Sequence, residues 1–491
     1  MRTPLGACEE RCESVVSHVV VVGGGVSGLV AAYRLRQLLG PEARLTILEQ
    51  SDRLGGKLRT LDLDGEPTDV GAEAFVLRDP AAAELVAELG LGDSLVHPER
   101  ASATIHAGGT TVALPRRTFL GVPAGAEAVR DVLSAEGVER VAAESSLPPL
   151  RLAQDEDASV GELLTERMGR EVVVHLVEPL LAGVYAGRAD LLGLRATMPA
   201  LVTALNETGS LTAAANRLLP PPNAPGPPKP IFGALRGGMR VLVEELARRS
   251  AAEIRLTTTV RRLERHERRV HGTERPERAF HSTWRVEVGP RPEFLDADAV
   301  VLAVPPPAAR RLLDDIAPEA SAAYARVEVG SMAVVSMVMP EDVTLPEASG
   351  VLLAVGERHR DGTPFTAKAF TYTSRKWGGA RTRLRASVGR VGEEQALRRD
   401  EDALLADVLA DLAELSGVTA KPVAWTVTKW GGGLPQYGVG HAAAVADIER
   451  AVADVPGLAV AGATFRGVGI PACVRTATVA AERVAAHLVA G

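Results

Sequence analysis

The chain has 491 residues, 46% of them hydrophobic and 24% charged, with a formal net charge of −7 and a pI near 5.9. That length exceeds one ordinary core and predicts two or three globular domains, while the composition excludes a disordered or fibrous chain. The acidic balance gives no long-range attraction to nucleic acid, so any anionic ligand must be held by a local cluster of Arg or Lys.

No basic flank precedes an apolar core at the N-terminus, and no apolar run approaches the ~20 residues that cross a bilayer, so neither secretion nor a membrane span is expected. Cys8, Cys12 and Cys473 make no disulfide framework, and no Cys/His grouping has zinc-ligand spacing. A reducing cytoplasm fits, and no metal is expected. Residues 1–17 read as a disordered or extended N-terminus.

In chain order, His18 to Val22 reads as a buried strand and Ser27 to Leu39 as a helix with glycines between them. Arg44 to Glu49 is a second strand, completing a βαβ unit. Asp79-Pro80 predicts the cap and first turn of a helix running to Gly90. Residues 95–218 read as a mostly helical insertion that faces substrate or membrane, and 219–229 as an exposed proline-rich linker. A Gly237-Gly238 turn then leads into a helix through Ala247. Strands follow around Leu256–Val260, Trp284–Val288 and Ala299–Val304, and residues 309–425 alternate like antiparallel sheet with short helices. A strand from Leu458 to Ala461 and a helix opened by Ile470-Pro471 close the chain. The expected fold class is α/β: a dinucleotide-binding domain assembled from 18–94, 230–308 and 426–491, with an α+β substrate domain at 309–425 and the helical insertion.

Gly23, Gly25 and Gly28 form G-x-G-x-x-G between a strand and a helix, the context in which this spacing binds a dinucleotide. Tight turn, close approach to pyrophosphate and close helix packing each require glycine, and the helix N-terminus stabilises phosphate charge. Glu49 stands about 20 residues further on, at the end of the second strand, where a carboxylate accepts hydrogen bonds from ribose hydroxyls. Beyond it, Arg53-Leu54-Gly55-Gly56-Lys57 places a glycine pair between cations, suited to the phosphates of a long cofactor. This loop resembles the R-x-G-G-[KR] signature of the flavoproteins that include amine oxidases, phytoene desaturases and protoporphyrinogen oxidases.

The resemblance narrows through Asp69-Val70-Gly71-Ala72-Glu73-Ala74-Phe75, Leu180 to Gly187, Phe232 to Met239 and Ser374-Arg375-Lys376-Trp377-Gly378. It continues in Trp430, Pro435 to His441 and Gly467 to Cys473. Together these motifs resemble the FAD-dependent coproporphyrinogen III oxidase and protoporphyrinogen oxidase family of haem biosynthesis, of Gram-positive and particularly actinobacterial type. The likeness runs from about residue 18 to 488. It implies that Gly23, Gly24, Gly25, Val26, Ser27 and Gly28 hold the FAD pyrophosphate, and that Glu49 and Gln50 meet the adenosine ribose. Lys57 and Gly71, Ala72, Glu73 and Ala74 are expected along the cofactor, Val260 against the adenine, and Trp430, Val468, Gly469 and Ile470 near the flavin. The start of the last helix suits the flavin C2 carbonyl, where its dipole favours the charge of reduced flavin.

For the family the resemblance implies oxidation of coproporphyrinogen III to coproporphyrin III in three two-electron steps, with dioxygen as acceptor and hydrogen peroxide as product. Protoporphyrinogen IX is the alternative substrate. The cofactor carries the chemistry, so no protein nucleophile or triad is required and no catalytic residue is assigned. Substrate propionates call for cations, and the candidates are Arg78, Arg116, Arg117, Arg375, Lys376, Arg383, Arg385 and Arg390. Arg78 is preferred, with Lys376 and, as a pocket wall, Tyr185. Some relatives carry lysine where this chain has Asp79, which argues against a lysine base here. Two other readings are an amine oxidase, disfavoured by 3% aromatic residues, and a flavin-free prenyl-binding carrier of the kind represented by GDP-dissociation inhibitors, disfavoured by the intact glycine turn, Glu49 and Lys57. The expected location is cytoplasmic, with at most peripheral contact at the inner face of the membrane and a downstream porphyrin-receiving enzyme as partner.

Overall fold

Five strands form a wholly parallel sheet at the centre of the dinucleotide fold: Glu253–Arg255, Arg44–Leu48, His18–Val22, Ala299–Leu302 and Leu458–Val460, in that spatial order. The computed structural model describes residues 17–99, 102–221, 230–269 and 280–490. Cys8, Cys12 and residues 222–229 of the proline-rich segment lie outside the described residues. Strands buried on both faces must be nearly all apolar, which is why Val19, Val20 and Val21 are completely buried in succession.

Helices cover one face of this sheet. Val26–Leu39, Arg240–Ser250 and Ile470–Ala490 pack there through Leu29, Leu35, Leu242, Leu246, Val474 and Val484. The other face is covered by an antiparallel meander (Val260–Arg269, Phe280–Val288, Glu293–Ala297) and by the helix His441–Ala453.

The predicted strand at Leu256–Val260 is displaced. The β-branched run Thr257-Thr258-Thr259 looks extended, yet Thr257 turns at φ 50° and its N–H bonds to the Ser51 carbonyl. The parallel strand therefore ends at Arg255, and the meander strand begins at Val260.

A seven-stranded sheet forms the second body of β-structure, in the order Ala424–Pro435, Val329–Val338, Arg383–Val388, Ala367–Thr371, Gly350–Leu353, Thr104–Ala107 and Thr110–Ala113. It takes its last two strands from the stretch expected to be helical and its first from the stretch expected in the dinucleotide fold, so the expected boundaries at 95 and 426 cut across it. Short strands rich in Thr and Gly carry too weak an alternation to show this in the sequence. One face packs on the helix Glu401–Ser416 through Val335, Leu353, Phe370, Leu384, Leu404 and Val408. The opposite face turns toward the helices of residues 160–218, whose core includes Leu176, Leu181, Tyr185, Leu201 and Leu352 of the sheet. Among the described residues, no helix is long and apolar enough to cross a membrane.

Candidate functional site

The parallel strands all end at one edge, where the chain leaves through Gly23, Glu49, Ala303 and Ala461. Backbone bonds lock these exits side by side: Gly23 N–H to Leu48 O (2.8 Å), Ala303 N–H to Val22 O (2.8 Å) and Ala461 N–H to Leu302 O (2.9 Å). Chain order across the sheet reverses beside the first strand, so this edge is the crevice where doubly wound sheets bind nucleotides.

Gly28 lies so close to the Gly23 carbonyl that a Cβ would overlap it, whereas a Cβ on Gly25 would meet nothing nearer than Gly56 Cα at 3.9 Å. The first contact lets the helix seat on the strand; the second leaves an open cradle at the helix start. The helix begins at Val26, with Ser27 buried in its first turn. No side chain caps it and no acid stands in that turn, so its free N–H groups and positive dipole end are available to an anion.

Glu49 follows the second strand and accepts from the Gly24 N–H (2.7 Å) and from Ser51 N–H and Oγ (both 2.8 Å); Gln50 beside it is exposed. The glycine-pair loop is laid against the turn by Gly55 N–H to Gly24 O at 2.8 Å. Arg53 spends its guanidinium on the loop itself, on Leu54 O and Gly56 O. Lys57 is half-buried and burial pushes its ammonium below the ordinary lysine value. It has no carboxylate partner among the described residues, and Cys473 stands nearby with its thiol toward Ser27.

Gly71 to Ala74 run beside this loop, with Ala72 N–H bonded to Lys57 O at 3.1 Å. Glu73 is buried and clamped by Lys376 Nζ at 2.8 Å and Arg385 Nε at 3.2 Å, while Arg385 also donates to Gly71 O at 3.0 Å. Burial opposes the charge of Glu73, but Arg385 and Lys376 outweigh it and hold the carboxyl below its usual range. Trp430 bonds Val70 O through Nε1 at 3.1 Å, joining the large sheet to the same segment.

Val260 is buried and its carbonyl already accepts from Arg311 at 2.9 Å. Gly469 is exposed at the start of the last helix, beside half-buried Val468 and buried Ile470. Tyr437 fixes that approach: its phenol donates to Ala463 O (2.7 Å) and accepts from Gly467 N–H (2.8 Å), while its ring stacks on His441 at 4.0 Å. His441 in turn holds Thr464 O at 2.9 Å.

The expected substrate residues sit on different segments: Lys376 in the helix Thr373–Trp377, Arg78 just before the helix Ala81–Glu88, and Tyr185 at the end of the helix Glu178–Tyr185. Lys376 is engaged by Glu73, Arg78 is exposed with its guanidinium 6.0 Å from the Phe119 ring, and Tyr185 is buried 5.3 Å from the Tyr437 ring. Burial pushes the Tyr185 phenol up to about 12. Asp79 accepts from Ala81 N–H at 3.3 Å and pairs with Arg475, but the cap position of the helix that starts at Ala81 is Pro80, not Asp79 as expected. Arg117 is spent on Asn216 and Pro220 O, Arg375 on Leu345 O, and Arg383 on Glu66 and Thr68.

Sequence reasoning missed the Tyr437 clamp and the buried charges Glu178 and Lys368. Glu178 had a signal, as a lone acid inside the apolar run from Val172 to Tyr185; Lys368 had none, because an alternating strand reads the same with a solvated lysine.

The open cradle at Gly25, the uncapped helix, the carboxylate at the second strand end and the unpaired Lys57 fit an extended dinucleotide such as FAD. A second helix of the same layer starts at Ile470, just after the exposed Gly469.

The chain matches the model of the flavin containing amine oxidoreductase family over residues 26–485. It is 42% identical over 462 residues to the coproporphyrinogen III oxidase of Mycobacterium tuberculosis H37Rv, covering 93% of this chain and 95% of the relative. Against the coproporphyrinogen III oxidase of Bacillus subtilis it is 30% identical over 472 residues, again 93% and 95%. An Exiguobacterium structure described as a protoporphyrinogen oxidase superposes with a TM-score of 0.80 at 31% identity, covering 96% of this chain and 99% of that one. The dinucleotide crevice and these matches along nearly its whole length agree: the chain belongs to the flavin containing amine oxidoreductase family, within its coproporphyrinogen III oxidase and protoporphyrinogen oxidase branch.

Proposed function

We propose that this protein oxidises coproporphyrinogen III to coproporphyrin III with dioxygen as electron acceptor. The observation that carries the reading is 42% identity over 93% of the chain to a relative of that name, with the dinucleotide crevice intact. The cofactor is FAD. When bound, FAD supplies the two-electron oxidation, three times per macrocycle, and delivers the electrons to dioxygen as hydrogen peroxide.

In this reading the chain's own residues bind and orient. The helix start at Val26 and the Lys57 ammonium hold the pyrophosphate, Glu49 orients the ribose, and Gly71 to Ala74 line the cofactor. Tyr437 and His441 fix the turn that aims the last helix at the flavin. Residues of the large sheet form the floor of the substrate site, and the division into an FAD-binding part and a substrate-binding part belongs to the same proposal. Lys376 and Arg385 set two cations against the single acid Glu73, a net positive charge that suits a polycarboxylate and repels the ammonium of an amine substrate.

The purified protein is expected to be yellow and to convert coproporphyrinogen III to a fluorescent porphyrin with matching oxygen uptake and peroxide release. Much faster oxidation of protoporphyrinogen IX would overturn the substrate assignment, and a colourless protein without extractable FAD would overturn the whole reading.

A further inference from the structure

One face of the large sheet runs away from the cofactor as a row of half-buried side chains. Arg385 and Thr371 are paired neighbours at the near end, and Ser387 and Ala369 are the next pair. The strand then ends, and Gly389 and Arg390 follow. At ~3.3 Å per residue, Arg385 and Gly389 stand roughly 13 Å apart, comparable to the span of a tetrapyrrole. The helix Glu178–Tyr185 packs over this floor against strands Gly350–Leu353 and Ala367–Thr371, with Leu181 and Tyr185 in one core with Leu352. The other side of the sheet is filled by the 401–416 helix, so the half-buried row lies on the face that the 178–185 helix covers.

The far end of the row holds an unusual group of buried charges. Lys368 is 4% exposed and makes one hydrogen bond, from Nζ to Gly389 O at 2.8 Å. Arg390 is 6% exposed, its Nε has no partner, and no carboxylate pairs with its guanidinium among the described residues. Glu178 is completely buried, and apart from a loose approach to the Ala189 backbone both its oxygens lack a hydrogen-bond partner. At the rim, Arg188 and Glu393 lie 3.5 Å apart. The group thus brings three cations against two acids, and its innermost members are unsatisfied. Leaving buried polar atoms unpaired is costly, so such a group is expected where a ligand completes it.

We infer that Lys368 and Arg390 form a carboxylate subsite at the end of the substrate floor remote from the cofactor, and that it selects substrates by a carboxylate reaching that far. The inference rests on the porphyrinogen reading. Coproporphyrinogen carries four propionates and protoporphyrinogen two, with vinyl groups in the other two positions. A macrocycle lying on the floor must send some substituents inward, and a propionate buried there needs a charge-assisted partner that a vinyl does not. Arg390 offers the planar fork for a bidentate contact and Lys368 a point charge beside it.

The test uses the FAD-loaded enzyme and its Arg390→Gln and Lys368→Met variants, with both porphyrinogens as substrates. KM for coproporphyrinogen is expected to rise at least tenfold with kcat changed less than threefold, while KM for protoporphyrinogen stays within threefold. Arg390→Lys should restore part of the coproporphyrinogen affinity. Binding of the product coproporphyrin III, followed by its fluorescence without turnover, should weaken in parallel with KM. If wild type oxidises coproporphyrinogen and the variants lose affinity for both substrates equally, or for neither, the subsite assignment is wrong and the function stands. If wild type neither oxidises coproporphyrinogen nor binds coproporphyrin III, the functional reading fails and the subsite with it. Should Arg390→Gln not fold, as judged by FAD content, Lys368→Met and Arg390→Lys decide the matter by the same selectivity ratio.

Discussion

Two buried acid and cation groups stand at opposite ends of one sheet face, and they are built oppositely. At the cofactor end Glu73 has Lys376 at 2.8 Å and Arg385 at 3.2 Å, and Arg385 goes on to the Gly71 carbonyl. At the far end Glu178 is completely buried without a good partner, and among the described residues no carboxylate is in ion-pair contact with Arg390 or Lys368. A complete group of this kind fixes backbone; an incomplete one stores instability that a ligand relieves. The first therefore fixes the Gly71 segment, and the second is the group proposed above for a substrate carboxylate.

The strongest way to break the contrast is Glu73→Ala. It strands two half-buried cations and is expected to cost about 3–5 kcal/mol, read as a lowered denaturant midpoint together with loss of FAD. A cost under about 1 kcal/mol would show that the near group is no more complete than the far one. Lys368→Met should act in the opposite direction, stabilising the FAD-loaded protein by about 1–4 kcal/mol while impairing substrate binding, because an apolar side chain removes a buried ammonium that only the more distant Glu393 favours. Its pH signature follows from burial first and then Arg390, which together lower the Lys368 ammonium from its ordinary value to about 7. Between pH 7 and roughly 10 the unfolded chain then holds a proton the folded chain lacks, so Lys368 makes wild-type stability climb with pH across that window. The difference between wild type and Lys368→Met should show that climb; a difference flat from pH 7 to 10 would mean Lys368 is not buried as described.

Tyr437→Phe sharpens the cofactor end further. The ring keeps its packing on Tyr185 and His441, but Ala463 O and Gly467 N–H both lose their partner. About 2 kcal/mol of stability should go with it. The visible absorption of bound flavin should shift as well, because the turn before Gly469 loosens. A fall in melting temperature with an unchanged flavin spectrum would reduce Tyr437 to a packing residue.

What was legible in the sequence divides along the same line. The glycine turn, Glu49 and the strands around them were readable because backbone constraints dictate residue type at fixed spacing: only glycine tolerates the contact at Gly28, and only an apolar run fills a strand buried on both faces. The seven-stranded sheet was half visible, since strands from residues 104–113 join it from across the chain and pairing between distant segments leaves no local mark. Substrate cations were least legible. Arg117, Arg375 and Arg383 looked equivalent to Arg390 in the sequence, and only the fold shows that the first three are spent on neighbours. Lys376 was named for the substrate and is held by an acid 303 positions away.

The smallest expected effect discriminates most finely. Glu178→Gln replaces a carboxyl whose ionisation burial already opposes, so the amide removes little charge that the fold depends on. Stability should change by less than about 1 kcal/mol, against several for Glu73→Ala, although the two acids are similarly buried. With a neutral amide in place of a carboxyl beside Arg390, coproporphyrin III should bind as tightly as to wild type or more tightly. A loss of several kcal/mol would instead reveal Glu178 as a genuine ion-pair partner of Arg390, and the far end of the floor would then be a second closed group with no vacancy for a propionate.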